Sequence, residues 1–448
     1  MFHDNHFKIK TMIAANIGKI FLDAYNEKFK SNCTAKEFFV EIYHKLFFDH
    51  NKYMMSAGNS PLENPKISWD KMRTGQMPYE TVEKRYERFS KTIEKIDAGP
   101  ADASIAIGFP SLDYTATTSG QVTNLDLPIK TEEIYLSWIG SGLGIGVQSG
   151  LSLLFSNKQI LLDLFDGWQV YRDFLNKIPT LRGNQINTWN GQWLAHRYDK
   201  YAYDASNPTA SFNPFGTMKD GGMEIYSQSW TKVLVGIARA YPETSLTAYV
   251  YSLGQMNITV GFVPFELPRI RQPFELYEKY FGTTRREQVE LLFGTAMGFT
   301  KACQMGAVGV NALEPKGFRE CLDKGVIPKY NPDDEEKTIN YNTYQIWLLA
   351  MLNNEQLWEK ALQIAATLNN YSLSDKNARK VKSQEVANLL ASVNKKQFIE
   401  SLSEIVKGSP ETDQLAKIAS LVHSMPVDNV SYFLTLIRFQ YAVVNKKS

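Results

Sequence analysis

The last quarter of the chain repeats one hydrophobic pattern, with apolar residues at positions i, i+3, i+4 and i+7 of successive segments. These apolar stripes cover residues 358–365, 386–393, 398–406, 415–422 and 430–437. Such spacing is typical of amphipathic helices that pack by one face. We therefore predict that residues 337–448 form an all-helical bundle in which the stripes are buried together.

The preceding residues 1–336 alternate between helical and strand-like patterns. Helical periodicity covers 8–50, 79–96, 149–178 and 273–310, and strand-like patterns cover 103–109, 122–139 and 247–267. In 247–267, two β-branched and aromatic runs flank a turn near Gly254, which predicts a hairpin. The acidic run at 333–336 ends this part. The fold class predicted is α+β, with a mixed α/β N-terminal body followed by a helical C-terminal bundle.

Composition narrows the functional classes only slightly. The chain has 448 residues, 44% hydrophobic and 21% charged, and a formal net charge of +2, so any anion binding must come from local patches. Cys33, Cys303 and Cys321 are far apart, which argues against a disulfide framework or a structural zinc site and favours the cytoplasm. The N-terminus does not read as a signal peptide, and no apolar run is long enough for a membrane span. We expect no cofactor and no metal.

Residues 183–201 read GNQINTWNGQWLAHRYDKY and concentrate planar amides around two tryptophans. Amides read base edges and aromatic rings stack on bases, so this tract is the leading binding-site candidate. Neither helical nor strand periodicity runs through it, which predicts a loop with short regular pieces. The amide candidates are Asn184, Gln185, Asn187, Asn190 and Gln192, with Trp189 as a stacking or wedging residue. Alternatively, Trp189 and Trp193 anchor a long loop with their ring N–H groups bonded inside the protein.

Basic residues outside the amides are candidates for phosphate contact. Arg182 and Arg197 flank the tract, and Arg269 and Arg271 lie in a segment bounded by two prolines, which predicts a loop. In the bundle, Lys380 and Lys382 belong to a group of cations between 376 and 396 that we place near one inter-helix corner. A nucleic-acid groove is the functional interpretation of this group, and an ordinary solvated face is the alternative.

Glycines recur at every second position in the segment IGSGLGIGVQSG, residues 139–150. A dinucleotide-binding loop needs the spacing G-x-G-x-x-G between a strand and a helix, and this segment does not provide it. Glycines with a period of two clear one face of the chain. The segment therefore admits either a nucleic-acid backbone or another part of the protein at close range.

Taken together, the GNQINTWNGQWL tract, the glycine-alternating segment before it and the closing helix SYFLTLIRFQYAVV resemble the large subunit of a type I CRISPR Cascade surveillance complex, in its I-A/I-B-like branch. The resemblance covers most of the chain in layout. The zinc-binding cysteine pairs of some branches are absent here, which leaves the subtype open.

The resemblance implies a non-catalytic subunit in antiviral defence. Such a subunit contacts the 5′ end of the CRISPR RNA, recognises the short motif that flanks the target in double-stranded DNA, and helps to recruit the helicase-nuclease. Base pairing reads the target, while the protein reads only the flanking motif. The implied domains are a body, 1–336, for RNA and flanking-motif contacts and a bundle, 337–448, similar to a Cascade small subunit. In several branches the small subunit starts inside the large-subunit gene, and Met351 is a candidate start.

Two other functions remain open from the sequence. The 183–201 tract could line a sugar pocket of an enzyme, with Asp163, Asp166 or Asp199 for acid–base chemistry. The bundle could instead be a protein–protein module that binds other Cascade subunits or an unrelated partner. In either of these cases a membrane is not an expected partner.

Overall fold

The computed structural model describes residues 13–55, 71–72, 74–97, 131–219, 221–243, 245–252 and 259–447. The chain divides into two compact units, one with residues up to Phe265 and Cys303–Ala307, the other with Glu266–Ala302 and Val308–Ser448. The boundary predicted at residue 336 therefore falls inside the second unit. The reason is that the helix Leu267–Phe281 packs on the helix Glu335–Leu352, so the two belong to the same unit.

Helices supply most of the first unit. Their bounds are α1 Ile13–Phe29, α2 Ala35–Phe38, a π-helical turn Phe39–Tyr43, α3 His44–Phe47, α4 Val82–Asp97, α5 Thr131–Ser141, α6 Lys158–Lys177, α7 Ile186–Arg197 and α8 Trp230–Ala240. The predicted helices in 8–50 and 79–96 are confirmed over the described residues.

One strand predicted in the first unit is a helix in the structure. Two other predicted strands lie in residues that the structure does not describe. Residues 131–139 are helical and not a strand. All eight residues from Ile134 to Ser141 are buried, so α5 has no polar face whose period could reveal it. The strands predicted at 103–109 and 122–130 lie outside the described residues.

Helices α1 and α5 cross at unusually close range because each places a glycine against the other's backbone. A Cβ atom on Gly18 would lie 2.0 Å from the carbonyl oxygen of Leu136, and one on Gly140 would lie 1.9 Å from that of Ala14. Real side chains do not approach backbone atoms this closely, so both positions require glycine. The first glycine of the alternating segment thus serves helix packing.

An antiparallel sheet packs with these helices in the order β1-β2-β5-β6. Its strands are β1 Ile145–Gly146, β2 Leu151–Phe155, β5 Leu246–Ser252 and β6 Thr259–Phe265. The two strands predicted in 247–267 are confirmed, and their turn lies outside the described residues. The prediction that β2 is the start of a helix is wrong. All five of its residues, LSLLF, are buried, so it lacks the alternation of a half-exposed strand.

A second, two-stranded sheet pairs β3 Phe215–Lys219 with β4 Gly222–Ile225. Its first strand lies in the segment 202–222, whose many Asn, Pro, Ser and Gly residues predict a loop. Gly221 at the turn has a φ of 70°, a left-handed conformation that glycine adopts without strain.

The second unit is helical in all its described regular elements. They are α9 Leu267–Phe281, α10 Arg286–Leu292, α11 Phe299–Gln304, a 3₁₀ turn Val310–Leu313, α12 Phe318–Lys324, α13 Glu335–Leu352, α14 Gln356–Leu373, α15 Arg379–Leu390, α16 Lys395–Lys407, α17 Thr412–Ser424 and α18 Val427–Lys447. The five stripes of the sequence fall on α14 to α18, and the predicted α+β fold with a C-terminal helical bundle is confirmed.

Helices α13 and α18 form the centre of this unit through buried polar contacts between them. The hydroxyl of Tyr341 donates to the carbonyl oxygen of Phe439 at 2.8 Å, and the side-chain amide of Gln440 donates to Gln345 at 2.9 Å. Since an unpaired buried amide or hydroxyl is costly, these bonds fix the register of one helix on the other. None of the helices in the described ranges is both long and apolar enough to cross a membrane.

Candidate nucleic-acid interface

Helix α7 occupies the tract for which the sequence predicts a binding loop, and its two tryptophans lie in the core. Trp189 is fully buried, stacks on Tyr171 with ring centroids 4.7 Å apart, and donates its ring N–H to the carbonyl oxygen of Gly167 at 2.8 Å. The ring N–H of Trp193 donates to the carbonyl oxygen of Asp163 at 2.7 Å. The alternative of two buried tryptophans with bonded ring N–H groups is therefore confirmed, except that they lie on a helix and not under a long loop. The stacking or wedging role of Trp189 is a wrong prediction.

Two of the five amide candidates are also buried and bonded to the backbone. Asn190 donates to the carbonyl oxygens of Gly142 and Gly144 at 2.8 and 2.9 Å. Gln192 donates to the carbonyl oxygen of Tyr226 at 2.7 Å. These amides satisfy buried carbonyl groups that have no partner in a helix or strand. Asn190 and Gln192 are thus not base-reading side chains, contrary to our prediction.

Two later glycines of the alternating segment, Gly144 and Gly146, lie very close to β5 and α7. A Cβ on Gly191 would lie 2.1 Å from the carbonyl oxygen of Gly146, and one on Gly144 would lie 2.2 Å from the hydroxyl of Tyr251. Of the two interpretations left open by the sequence, close packing within the protein accounts for these glycines. The described structure leaves no room here for a nucleic-acid backbone.

The remaining amides lie at the start of α7, where the tract reaches the surface. Asn184 is exposed and has a φ of 58°, and its backbone N–H donates to the carbonyl oxygen of Tyr53 at 2.6 Å. Gln185 is half-buried and accepts the backbone N–H of Ile225 at 3.1 Å. Asn187 is half-buried. Of the five amides, Asn184 alone is exposed, and in the orientation that satisfies its hydrogen bonds its side-chain amide donates to the carbonyl oxygens of Tyr53 and Met55, each at 3.1 Å.

The two arginines that flank the tract already have acidic partners. Arg182 forms an ion pair with Glu224 at 2.6 Å. Arg197 lies 3.5 Å from a carboxylate oxygen of Asp163 and 4.4 Å from the ring centre of Tyr203. Their charges are largely neutralised inside the first unit, which weakens both as phosphate ligands.

Arg269 and Arg271 do not lie in a loop, because α9 runs through both prolines. Pro268 occupies the first turn, where its missing N–H costs nothing, and this position is a helix-start signal that our prediction overlooked. Arg269 donates to the carbonyl oxygen of Ala350 at 3.0 Å, and Arg271 pairs with Glu275 at 3.1 Å. Arg269 thus fastens the end of α13.

The start of helix α15 carries exposed cations, and its first turn has no acid, which is also true of the neighbouring α16. Lys376, Arg379 and Lys380 are exposed, and none forms an ion pair within the described part of the chain. The capping residue Ala378 contributes no side-chain bond to the first turn. Glu385, the acid of this helix, is half-buried and accepts a bond from the hydroxyl of Tyr371 at 2.6 Å. Positive charge at a helix start is unfavourable, since the helix dipole is positive there too.

The other predicted cations of the bundle are more constrained. Lys382 is half-buried, donates to the hydroxyl oxygen of Ser374 at 2.8 Å and lies 4.8 Å from the ring centre of Tyr371. Lys395 donates to the carbonyl oxygen of His423, the C-terminal end of α17, at 2.8 Å. Lys395 lies beyond the C-terminal end of α15. This helix is about 18 Å long at roughly 1.5 Å per residue, so Lys395 is far from the cations at its start. The cations therefore form two groups and not the single corner that we predicted.

An anion at the start of α15 would relieve its electrostatic conflict. The oxygens of a phosphate bound there would accept hydrogen bonds from backbone N–H groups of the first turn. They would also lie near the positive end of the helix dipole and near three exposed cations. In contrast, the exposed Lys324 and Lys407 of the same unit each lie beside a glutamate of their own helix, at 3.9 and 2.8 Å. We call the group Lys376, Arg379 and Lys380 the α15 cation cluster.

The carboxylates proposed for a sugar-processing enzyme are mostly engaged in the core. Asp163 is buried and accepts the hydroxyl of Tyr198 at 2.7 Å. Asp199 is buried and accepts the backbone N–H of Tyr201 at 3.0 Å. Asp166 pairs with Lys28 at 3.4 Å, and burial raises its pKa. None of these contacts leaves two carboxylates facing a common open site in the described residues.

The chain matches no protein-family model, no curated protein sequence and no solved structure. Its function must therefore be inferred from its own residues, and the α15 cation cluster is the candidate anion-binding site among them.

Proposed function

We propose that this chain is a non-catalytic, nucleic-acid-binding subunit of a type I CRISPR RNA-guided surveillance complex that acts in the cytoplasm. Its partners would be the CRISPR RNA, double-stranded target DNA, other Cascade subunits and the helicase-nuclease. The resemblance in sequence layout and the confirmed α+β fold with a helical C-terminal bundle both support this proposal.

The observation that carries the proposal is the α15 cation cluster. Three exposed cations without an ion-pair partner in the described chain lie at a helix start, where the nearby carboxylate is that of Asp375. This excess of positive charge beside the positive end of the helix dipole favours a bound anion. Nucleic-acid phosphates are anions in a regular array, and Arg and Lys neutralise them with release of counterions. Along the exposed side of α15, Ser383, Gln384 and Asn388 provide further polar groups of the kind that contact phosphate and sugar.

Purification of the tagged protein from its native host tests the proposal directly. We expect several other subunits and a uniform repeat-spacer RNA to co-purify, identified by mass and by sequencing. A protein that elutes alone and free of nucleic acid would contradict the proposal.

A salt titration isolates the contribution of the α15 cation cluster. We expect the double variant Arg379→Ala/Lys380→Ala to bind a DNA duplex of about 30 base pairs more weakly and to reduce the slope of log K against log salt by about 1 to 2, because each lost phosphate contact removes roughly 0.9 from the slope. Fluorescence anisotropy between about 50 and 300 mM salt measures both quantities.

The matched control is the double variant Lys324→Ala/Lys407→Ala. It removes the same charge from exposed positions of the same unit, but both lysines are beside glutamates. We expect its slope to equal that of the wild type. Equal slopes for both double variants would mean that the cluster touches no phosphate.

The proposed internal start at Met351 has a structural consequence. Met351 lies in the last turn of α13, so a polypeptide that began there would lack most of the helix on which α18 packs. The buried bonds of Tyr341 and Gln345 to α18 would also be missing. A separate small subunit of this kind would need another surface to cover α18.

The sugar-enzyme alternative gains no support from the geometry. Trp189 and Trp193, the rings that would line its pocket, are 0% and 1% exposed. The described structure therefore offers no specific observation in favour of this second function.

A further inference from the structure

The outer face of the main sheet displays two aromatic rings side by side. Tyr249 on β5 and Phe262 on β6 are directly paired across the strands, with ring centroids 5.5 Å apart. Phe262 is 68% exposed, and Tyr249 is half-buried. Their neighbours along the strands, Val263 and Val250, point to the opposite face and are buried. We call Tyr249 and Phe262 the aromatic pair.

A β-bulge next to the aromatic pair changes the direction of β6. The pairing shifts by one residue between Val250 and Tyr251, which leaves Val260 as the extra residue of β6. Gly261 beside it has a φ of 102°, and no atom of the described chain lies within 4 Å of the position a Cβ would take. Bulges of this kind re-aim the following side chain and recur beside binding sites. The bulge thus presents Phe262 to open space.

The local chemistry excludes two common occupants of an exposed sheet region. β6 is an edge strand of the described sheet, but Pro264 and the left-handed Gly261 interrupt its edge, so it is a poor template for an added strand. A protein interface needs roughly 1,000 Å² or more of buried surface. The aromatic pair is flanked by Thr247 and Pro264 on one side and by Thr259 and the buried Tyr251 on the other. Two rings with these neighbours are far too small an area.

With an added strand and a protein interface excluded, the aromatic pair suits a flat, aromatic ligand. One nucleobase covers about the area of one ring, and every base has a π-face that stacks on Phe or Tyr. We infer that the aromatic pair stacks a base of single-stranded nucleic acid, with Phe262 as the main platform and Tyr249 as its side wall. The hydroxyl of Tyr249 lies 3.2 Å from that of Thr259, a contact that holds the Tyr249 ring in place. This inference rests on the proposed function and adds a mode of contact to it.

The test uses the full-length chain and fluorescein-labelled dT15 and U15 oligonucleotides. We expect Phe262→Ala to weaken binding by about 5- to 100-fold, the range found when one stacked base loses its aromatic partner. Phe262→Trp should keep the affinity, whereas Phe262→Leu should lose most of it, because leucine has apolar area but no π-face. The slope of log K against log salt should be unchanged in all three variants, since no phosphate contact is removed.

Tyr86→Ala is the matched control, because Tyr86 on α4 is 69% exposed, as Phe262 is, and carries the same kind of ring. Its affinity should equal that of the wild type. An oligonucleotide with 2-aminopurine gives a second readout, since stacking on Phe262 quenches its fluorescence and Phe262→Ala should abolish the quenching.

The outcomes separate the inference from the proposed function. If the wild type binds in a salt-dependent manner and Phe262→Ala binds as well as the wild type or as Tyr86→Ala, the stacking inference is overturned and the proposed function stands. If the wild type binds neither duplex nor single strands, the proposed function fails and the inference fails with it.

Discussion

Replacing Gly140 by alanine is expected to destabilise the first unit by at least about 3 kcal/mol, because the new methyl group would overlap a backbone atom. The added Cβ would lie 1.9 Å from the carbonyl oxygen of Ala14, which cannot rotate away as a side chain could. Helices α1 and α5 would have to separate, and their buried surface would open. The first unit has about 270 residues, so its melting temperature should fall by roughly 5–6 °C, which a thermal melt followed by circular dichroism measures.

Gly236→Ala is the control for this prediction. Gly236 lies in α8 of the same unit, and the nearest atom to its added Cβ, from Tyr198, is 3.4 Å away, an ordinary contact. Alanine there should be neutral or stabilise by about 0.5–1 kcal/mol, since it is the better helix former. Gly18→Ala should resemble Gly140→Ala. If Gly140→Ala melts like Gly236→Ala, the close helix crossing described here is incorrect.

Acidification is expected to destabilise the first unit between pH 6.5 and about 4 through two histidines. Burial lowers the pKa of His44 to about 4. Asp49 opposes this shift, and Arg88, Arg85 and Lys45 add smaller lowering effects. Its ring stacks on Phe89 with centroids 3.5 Å apart. Burial likewise lowers the pKa of His50 to about 4.

The sign follows from proton linkage. The unfolded chain protonates each histidine near pH 6.5, whereas the folded chain resists protonation until about pH 4, so the stabilisation is complete above pH 6.5 and is lost as the pH falls. By about pH 5 the loss should be about 2 kcal/mol for His44, at roughly 1.36 kcal/mol per pH unit, and about half of that for the less buried His50. Urea unfolding at about pH 7 and about pH 5 measures the difference.

Two substitutions separate the histidines from other acid-sensitive groups. His44→Phe keeps a ring against Phe89 and removes the titration, and His50→Asn keeps an acceptor for the backbone N–H of Lys52, which His50 now accepts at 2.9 Å. The double variant should lose less stability than the wild type over the same change of pH. An identical loss in both proteins would rule out the histidines as its cause.

The helices of the bundle could be predicted from sequence because each has one apolar and one polar face. In α16, for example, Phe398, Leu402 and Ile405 are buried while the residues between them are mostly exposed. As a result, apolar residues recur in the sequence with the period of a helix. The same rule explains the success in α1 and α4, where one side faces water.

The central elements of the first unit could not be predicted in this way. Helix α7 is buried on nearly every side, so apolar, amide and glycine residues occur without a period. The partners of its amides, such as Gly142 and Tyr226, are tens of residues away in the chain. A polar composition was therefore mistaken for a surface, although it reflects hydrogen bonds inside the core.

The candidate nucleic-acid interface is also predictable from the sequence only in part. The charges of Arg379 and Lys380 are recognisable in the sequence, but whether acidic partners surround them depends on the fold. Arg182, Arg197 and Arg271 are equally recognisable as cations in the sequence, but they are paired with Glu224, Asp163 and Glu275. The exposure of Phe262 also depends on the fold, since its ring is open only because no other part of the described chain covers it on the outer face of the sheet. Its one local signal is the adjacent Gly261.

The position of β2 in the sheet has a consequence for synthesis of the protein. Its five residues, four of them apolar, pair with β5, whose residues leave the ribosome roughly ninety positions later, or about 5–20 seconds at ordinary rates of translation. Throughout that interval, among the described strands, LSLLF has only the two residues of β1 as a partner, and an uncharged apolar strand is a strong aggregation motif. Production in cells should therefore depend on chaperones that bind nascent apolar segments, and fragments that end before Phe265 should accumulate as insoluble material.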